Sequence, residues 1–130
     1  AIARQTPPAA QTVDVVADAQ QDKLYVQRFR RDPSSGAWQA DAPLAIMPFE
    51  QWLARLSNEV WVTGPGLAGQ RARLPETLHV APEIDWHPRA ESLLALGWER
   101  WQRDERDDQF AVEPLYLRPS SAEEKWERKT

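Results

Sequence analysis

Thr12-Val13-Asp14-Val15-Val16-Ala17-Asp18, followed by Lys23-Leu24-Tyr25-Val26-Gln27-Arg28-Phe29-Arg30-Arg31, decides how this chain folds. The first run is short, rich in β-branched valine and bounded by polar residues, the composition of a strand. The second alternates in part: Leu24 and Val26 fall on one face, Tyr25 and Phe29 on the other, so both faces of the sheet begin apolar. Asp32-Pro33-Ser34-Ser35-Gly36 reads as a loop, because Pro33 fixes φ and Gly36 tolerates a positive φ. Residues 38–47 then read as a third strand, irregular around Pro43, since proline cannot donate to a ladder. The expected centre is a three-strand antiparallel meander, with helices and short strands laid on it.

Past the meander, Phe49, Trp52, Leu53 and Leu56 have the spacing of an amphipathic helix of about two turns, with Pro48 at its first position. Residues 59–63 form a strand running into Gly64-Pro65-Gly66. That triplet lacks the lysine and the serine or threonine of a phosphate loop and the spacing of a dinucleotide fingerprint, so it reads as a strand-to-loop turn. Residues 68–75 suggest a brief helix and 77–80 a short strand. His79 is expected partly buried in that strand, and His87, before Pro88, at a helix start. Neither has a partner at metal-ligand spacing. Residues 88–103 are the clearest helix: Ala90, Leu93, Leu94, Gly97, Trp98 and Trp101 lie on one stripe, expected to face the core, with Gly97 admitting a close neighbour. The tryptophans are accordingly expected to serve packing more than display. Residues 104–109 read as a solvated charged turn, 113–119 as an extended clasp stiffened by Pro114 and Pro119, and 120–130 as a charged tail from which Ala122 and Trp126 touch the body.

The totals narrow the function classes. At 130 residues the chain is one domain, with an ordinary 42% hydrophobic and 28% charged residues. The absence of cysteine excludes disulfides, thiolate catalysis and cysteine-ligated zinc. A net charge of −4 argues against a broad electrostatic grip on nucleic acid, although 13 of the 16 basic residues are arginine. No run approaches the roughly 18 apolar residues of a membrane span. Asp14 and Asp18 share a face of the first strand, as in nucleases with a metal-binding carboxylate on a central strand. Glu59, Glu91 and Asp104 are poor companions for them, and no nucleophile elbow is present. No enzyme active site and no cofactor are expected. Ala1-Ile2-Ala3-Arg4-Gln5 reads like the last turn of a helix that Pro7 and Pro8 end, and one turn has no reason to stand alone. The chain is therefore expected to be part of a longer protein, with residues 1–11 closing an inter-domain helix and linker, 12–119 forming the domain, and 120–130 its tail.

Two motifs resemble a known family. Asp18-Ala19-Gln20-Gln21-Asp22-Lys23-Leu24-Tyr25 opens the meander, and Glu113-Pro114-Leu115-Tyr116-Leu117-Arg118 closes the domain, with a strand ending in Gly64 between them. Together they resemble the C-terminal domain of TsaB, a bacterial subunit of the machinery that makes N6-threonylcarbamoyladenosine in tRNA. That family has Asp-Ala-Arg, a short gap, Glu, an aliphatic residue and Tyr at the first place, and Glu-Pro-x-Tyr-Leu-Arg at the second. Here Gln20 replaces the arginine and Lys23 stands where glutamate is usual. An echo of the family's N-terminal Gly-Pro-Gly-Ser-Phe-Thr-Gly in residues 64–69 lacks the Ser-Phe-Thr and is out of position.

The resemblance implies an α/β domain of the actin-like, ribonuclease H-like type, with mixed sheet and flanking helices. It implies a cytoplasmic, non-catalytic scaffold that pairs with the catalytic subunit TsaD through an N-terminal domain. TsaE, an ATPase, joins that assembly, tRNA is met only through the complex, and a homodimer is left open. Asp18, Ala19, Tyr25, Gly64, Glu113, Pro114, Tyr116, Leu117 and Arg118 carry the motifs as structural residues. The competing readings are a ribonuclease H-like nuclease or actin-like kinase fragment, and a standalone interaction domain whose tryptophans form its surface.

Overall fold

Valine-rich β1 (Thr12–Asp18) lies at the centre of a mixed six-stranded sheet in a computed structural model that describes residues 1–115 and 117. β2 (Lys23–Arg31) pairs antiparallel with β1, placing Asp14 opposite Arg28, Val16 opposite Val26 and Ala17 opposite Tyr25. On its outer side β2 receives β3 (Trp38–Ala40) and β4 (Ala45–Pro48), both antiparallel. β5 (Val60–Thr63) and β6 (His79–Val80) extend the other edge in parallel, giving the order β3-β2-β1-β5-β6. The meander is thus present, but its third member is broken in two. Residues 41–44 leave the ladder at Pro43, and the Asp41 N–H still reaches Arg28 O at 2.9 Å.

The strand period sorts the side chains. Leu24 and Val26 face the core with Val16 and Val62, where Phe49, Trp52, Leu67 and Trp86 complete a buried cluster. α1 (Phe49–Leu53) is shorter than its apolar spacing suggests. Leu53 and Leu56 still pack against the cluster, but the chain turns after Leu53 to descend into β5, with the Leu56 N–H on Leu53 O and the Val60 N–H on Ser57 O. Short 3-10 turns occupy Pro65–Leu67 and Arg71–Arg73. His79 is exposed rather than partly buried, because β6 is an edge strand of two residues, and its ring stacks on Trp61 at 5.1 Å.

α2 (Ala90–Gln102) forms where the periodicity places a helix, but none of its residues is buried. Its footing is polar and at its ends. Gln5, in the 3-10 turn Ile2–Gln5, donates from Nε2 to Asp85 O and His87 O and accepts the Arg89 N–H, while Arg4 clamps Glu99 with two 2.7 Å bonds. The apolar stripe itself faces water, which corrects the core reading. Among the described residues nothing lies within 4 Å of where a Cβ at Gly97 would stand, so it admits no close neighbour there. The tryptophans divide accordingly: Trp52 and Trp86 are buried, Trp38 and Trp61 half-buried, Trp98 and Trp101 exposed.

The loop after β2 behaves as its residues dictate. Asp32 Oδ1 accepts the Ser34 hydroxyl at 2.5 Å and the N–H groups of Ser34 and Ser35 at 2.8 and 2.9 Å, with Gly36 at φ +70°. The Ser34 hydroxyl first, then the two amides, hold the Asp32 carboxyl down at about 2. A depressed pKa means that the carboxylate supports the loop fully above the unfolded value of about 4 and loses that support as pH falls through the folded one. The protection of the Ser34 and Ser35 amides, relative to their intrinsic exchange, is therefore expected to fall between about pH 4 and pH 2. A loop equally protected at both ends of that window contradicts the assignment.

Candidate functional site

Asp14 is the buried carboxylate on the central strand, 1% exposed, and both its oxygens accept hydrogen bonds. Oδ1 accepts Arg28 Nε–H at 2.7 Å; Oδ2 accepts Arg28 Nη2–H at 2.9 Å and Trp52 Nε1–H at 3.1 Å. The cause is register: Asp14 and Arg28 are opposite one another on the core face, and a forked guanidinium matches a carboxylate. The bonds to Asp14 raise the Arg28 pKa further. A metal at Asp14 would compete with Arg28 and Trp52 for the same carboxylate. Asp18 is exposed at the end of β1, where Oδ1 accepts the Gln20 N–H at 2.8 Å. The two carboxylates share a face of β1 yet perform separate structural tasks. Among the described residues no group of three or more His, Asp or Glu is placed to hold a metal ion.

The turn after Asp18 is unusual. Gln20, Gln21 and Asp22 have φ of +62°, +51° and +57°, three consecutive left-handed residues without a glycine. Such a backbone persists only when its surroundings fix it. Here the Ala19 N–H reaches Lys23 O at 2.9 Å, the Lys23 N–H reaches Gln20 O at 3.0 Å, and the Phe49 N–H reaches Asp22 O at 2.9 Å. Arg73 adds a clasp from outside, bonded to Asp22 and Glu50 and lying 4.0 Å over the Phe49 ring. Its pKa is raised, by Asp22 first and Glu50 second. Ala19 is buried beneath the turn, while Gln20 and Gln21 are exposed at its tip.

Gly64 closes the same end of β1. Its φ is +113°, and a Cβ there would stand 2.2 Å from the Val16 carbonyl oxygen; at Gly66 a Cβ would stand 2.8 Å from Ala17 backbone. Gly-Pro-Gly is therefore a device for close backbone approach.

The opposite face of the sheet is open. Val15, Ala17, Tyr25 and Phe29 form the floor and one wall of an apolar groove of about 540 Å³, with Ile2 and Leu93 among the residues across from them. Beyond Leu93 the α2 stripe continues into solvent: Leu94 is 73% exposed, Trp98 61% and Trp101 58%. Contiguous apolar surface of this kind marks interaction sites. Of the motif residues, Asp18 and Ala19 build the turn, Gly64 packs against β1 and Tyr25 lines the groove. Glu113, Pro114 and Leu115 are exposed, Leu115 by 74%, and Leu117 is half-buried. Tyr116, Arg118, Ala122 and Trp126 lie outside the described residues. The groove was not anticipated as a site, although the Tyr25 and Phe29 alternation signals its wall.

No protein-family model matches the chain, and no curated protein matches it. Solved structures do. One is an uncharacterized protein with similarity to peptidase YeaZ from Pseudomonas aeruginosa, at 24% identity and a TM-score of 0.65 over 85% of this chain and 51% of that one. Another is YeaZ from Pseudomonas aeruginosa, at 23% identity and a TM-score of 0.61 over the same shares. The likeness is one of fold: a mixed α/β architecture, in a chain that spans about half the length of the solved structures it matches. Among the described residues no helix is long and apolar enough to cross a membrane.

Proposed function

We propose that this chain is the C-terminal, actin-like or ribonuclease H-like domain of a TsaB-like protein, a cytoplasmic and non-catalytic scaffold of the complex that makes N6-threonylcarbamoyladenosine in tRNA. The observation that carries the reading is the shared fold with YeaZ (TsaB) over 85% of the chain. The motif residues support it, since Asp18, Ala19 and Gly64 each answer a structural need at one end of β1. The Asp14 carboxylate, held by Arg28 and Trp52, favours a structural role over a metal-holding one. On this reading about another 100 residues precede the domain and supply the helices that meet a TsaD-like subunit. A TsaE-like ATPase joins the assembly, and tRNA is reached through it.

Two experiments test this. The whole open reading frame, mixed with the TsaD-like subunit of the same organism, is expected to co-elute with it in gel filtration, and the 130-residue chain alone to elute separately. Separate elution of the whole protein contradicts the pairing. The chain incubated with ATP, magnesium and tRNA is expected to show neither turnover nor cleavage above a protein-free control. Metal-dependent cleavage that disappears in Asp14→Asn or Asp18→Asn supports the nuclease reading instead.

A further inference from the structure

The break in the outer strand opens a second cavity, on the core face of the sheet and across it from the apolar groove. Where residues 41–44 leave the β2 ladder there is a cleft of about 450 Å³, and Asp14 and Trp52 belong to its lining. Its walls are apolar, from Val26, Pro43, Ala45 and Met47, and its positive groups are Arg28 and Arg55. Apolar walls with a few convergent polar groups, at this volume, are the form of a small-molecule site.

The hydrogen-bonding capacity left over in the cleft is that of donors. Both Asp14 oxygens accept from Arg28 or Trp52, and both Asp41 oxygens accept from Arg30. Arg28 spends only the Nε and Nη2 side of its guanidinium on Asp14. Its Nη1 has no acceptor among the described residues, and the side chain keeps 31% exposure. The bond pair to Asp14 also fixes the plane of that guanidinium, so little freedom is lost when a second acceptor arrives. Arg55, in the turn after α1, is exposed and its side chain has no hydrogen bond or ion pair among the described residues. With Arg30 behind Asp41, three guanidinium groups stand against two carboxylates, an excess of one positive charge. We propose that this cleft binds a small carboxylic acid that carries an apolar group. Arg28 Nη1 and Arg55 receive the carboxylate, since a forked guanidinium matches that ion, and Val26, Ala45 and Met47 cover the hydrocarbon part. A bare inorganic anion would leave those walls wet. This inference is independent of the proposed tRNA-modification role.

Hexanoate is the probe, added at about pH 7, where it is ionised. It is expected to shift the backbone amide NMR signals of Val26, Arg28 and Ala45 and the indole N–H signal of Trp52 saturably, with a midpoint of about 1 mM. Hexanol, the chain without the charge, and acetate, the charge without the chain, are each expected to bind at least about tenfold more weakly. Arg55→Ala is expected to weaken hexanoate about fivefold and Arg55→Glu to abolish saturation, with Arg55→Lys close to the parent. Because Arg55 is exposed, the Trp52 indole signal before ligand is expected at the parent's position in all three variants. Hexanol as tight as hexanoate, or Arg55 variants that bind like the parent, overturn the inference. Shifts confined to Val15, Tyr25 and Phe29 also overturn it, because they place the ligand in the groove on the opposite face. So does the absence of any saturable change up to about 50 mM.

Discussion

Asp14→Ala is expected to cost about 3 kcal/mol, the lower end of the range for breaking a buried ion pair. The lower end applies because the Arg28 side chain keeps 31% exposure and can recruit water once its partner is gone. Trp52 cannot: it is 1% exposed, and its indole N–H is left without an acceptor, a loss of about 1–3 kcal/mol in itself. The penalty is thus one of stranded donors rather than of lost attraction. It follows that Asp14→Val combined with Arg28→Met, which removes both charges and keeps the β-branched character of the strand, is expected to be less destabilised than Asp14→Ala alone. Urea denaturation of the parent and both variants measures this. Asp14→Ala within about 0.5 kcal/mol of the parent, the range of ordinary surface changes, contradicts the assigned network.

Gly64→Ala is expected to be the most damaging single-methyl change in the molecule. Two penalties coincide at this position. The residue occupies φ +113°, ψ 161°, a region essentially closed to residues with a Cβ, at about 1–3 kcal/mol of strain. The added Cβ also meets the Val16 carbonyl oxygen at 2.2 Å, and that oxygen belongs to the central strand and cannot swing aside. Overpacking of this kind adds about 1–3 kcal/mol. A total of about 2–6 kcal/mol is a large part of the 5–15 kcal/mol available to a domain. The melting temperature is expected to fall by roughly 10–20 °C. Gly36→Ala is the matched control: its φ of +70° is also left-handed, but nothing lies within 4 Å, so the expected cost is only about 1 kcal/mol. Equal melting temperatures for the two variants contradict the close packing of the Gly64 turn on β1.

The sheet was legible because it depends on local pattern. Val13, Val15 and Val16 and the alternation of residues 24–29 specify strands whatever surrounds them, and Pro43 marks where the ladder breaks. Burial of α2 was not legible. Leu93, Leu94, Trp98 and Trp101 have the period of a core-facing helix, but period reports only that a helix has an apolar face, not what covers it. Here the helix is pinned by Gln5 and Arg4 instead, contacts between residues 80 to 95 positions apart that no local window contains. Asp14 was misleading for a related reason. A carboxylate on a central strand has the same sequence signature whether it awaits a metal or is already held by an arginine on the next strand. Only the pairing of Asp14 with Arg28 separates the two. The left-handed run from Gln20 to Asp22 had no glycine or asparagine to announce it, since its support comes from Phe49 and Arg73 far along the chain.

The scaffold role is tested most directly in the organism that makes this protein. Depleting the open reading frame that contains the chain and quantifying N6-threonylcarbamoyladenosine in bulk tRNA by mass spectrometry reads the proposed function itself. The account predicts that the modified nucleoside falls as the protein is depleted and returns with a wild-type copy, but not with one carrying Gly64→Ala. An unchanged level of the modification after full depletion contradicts it.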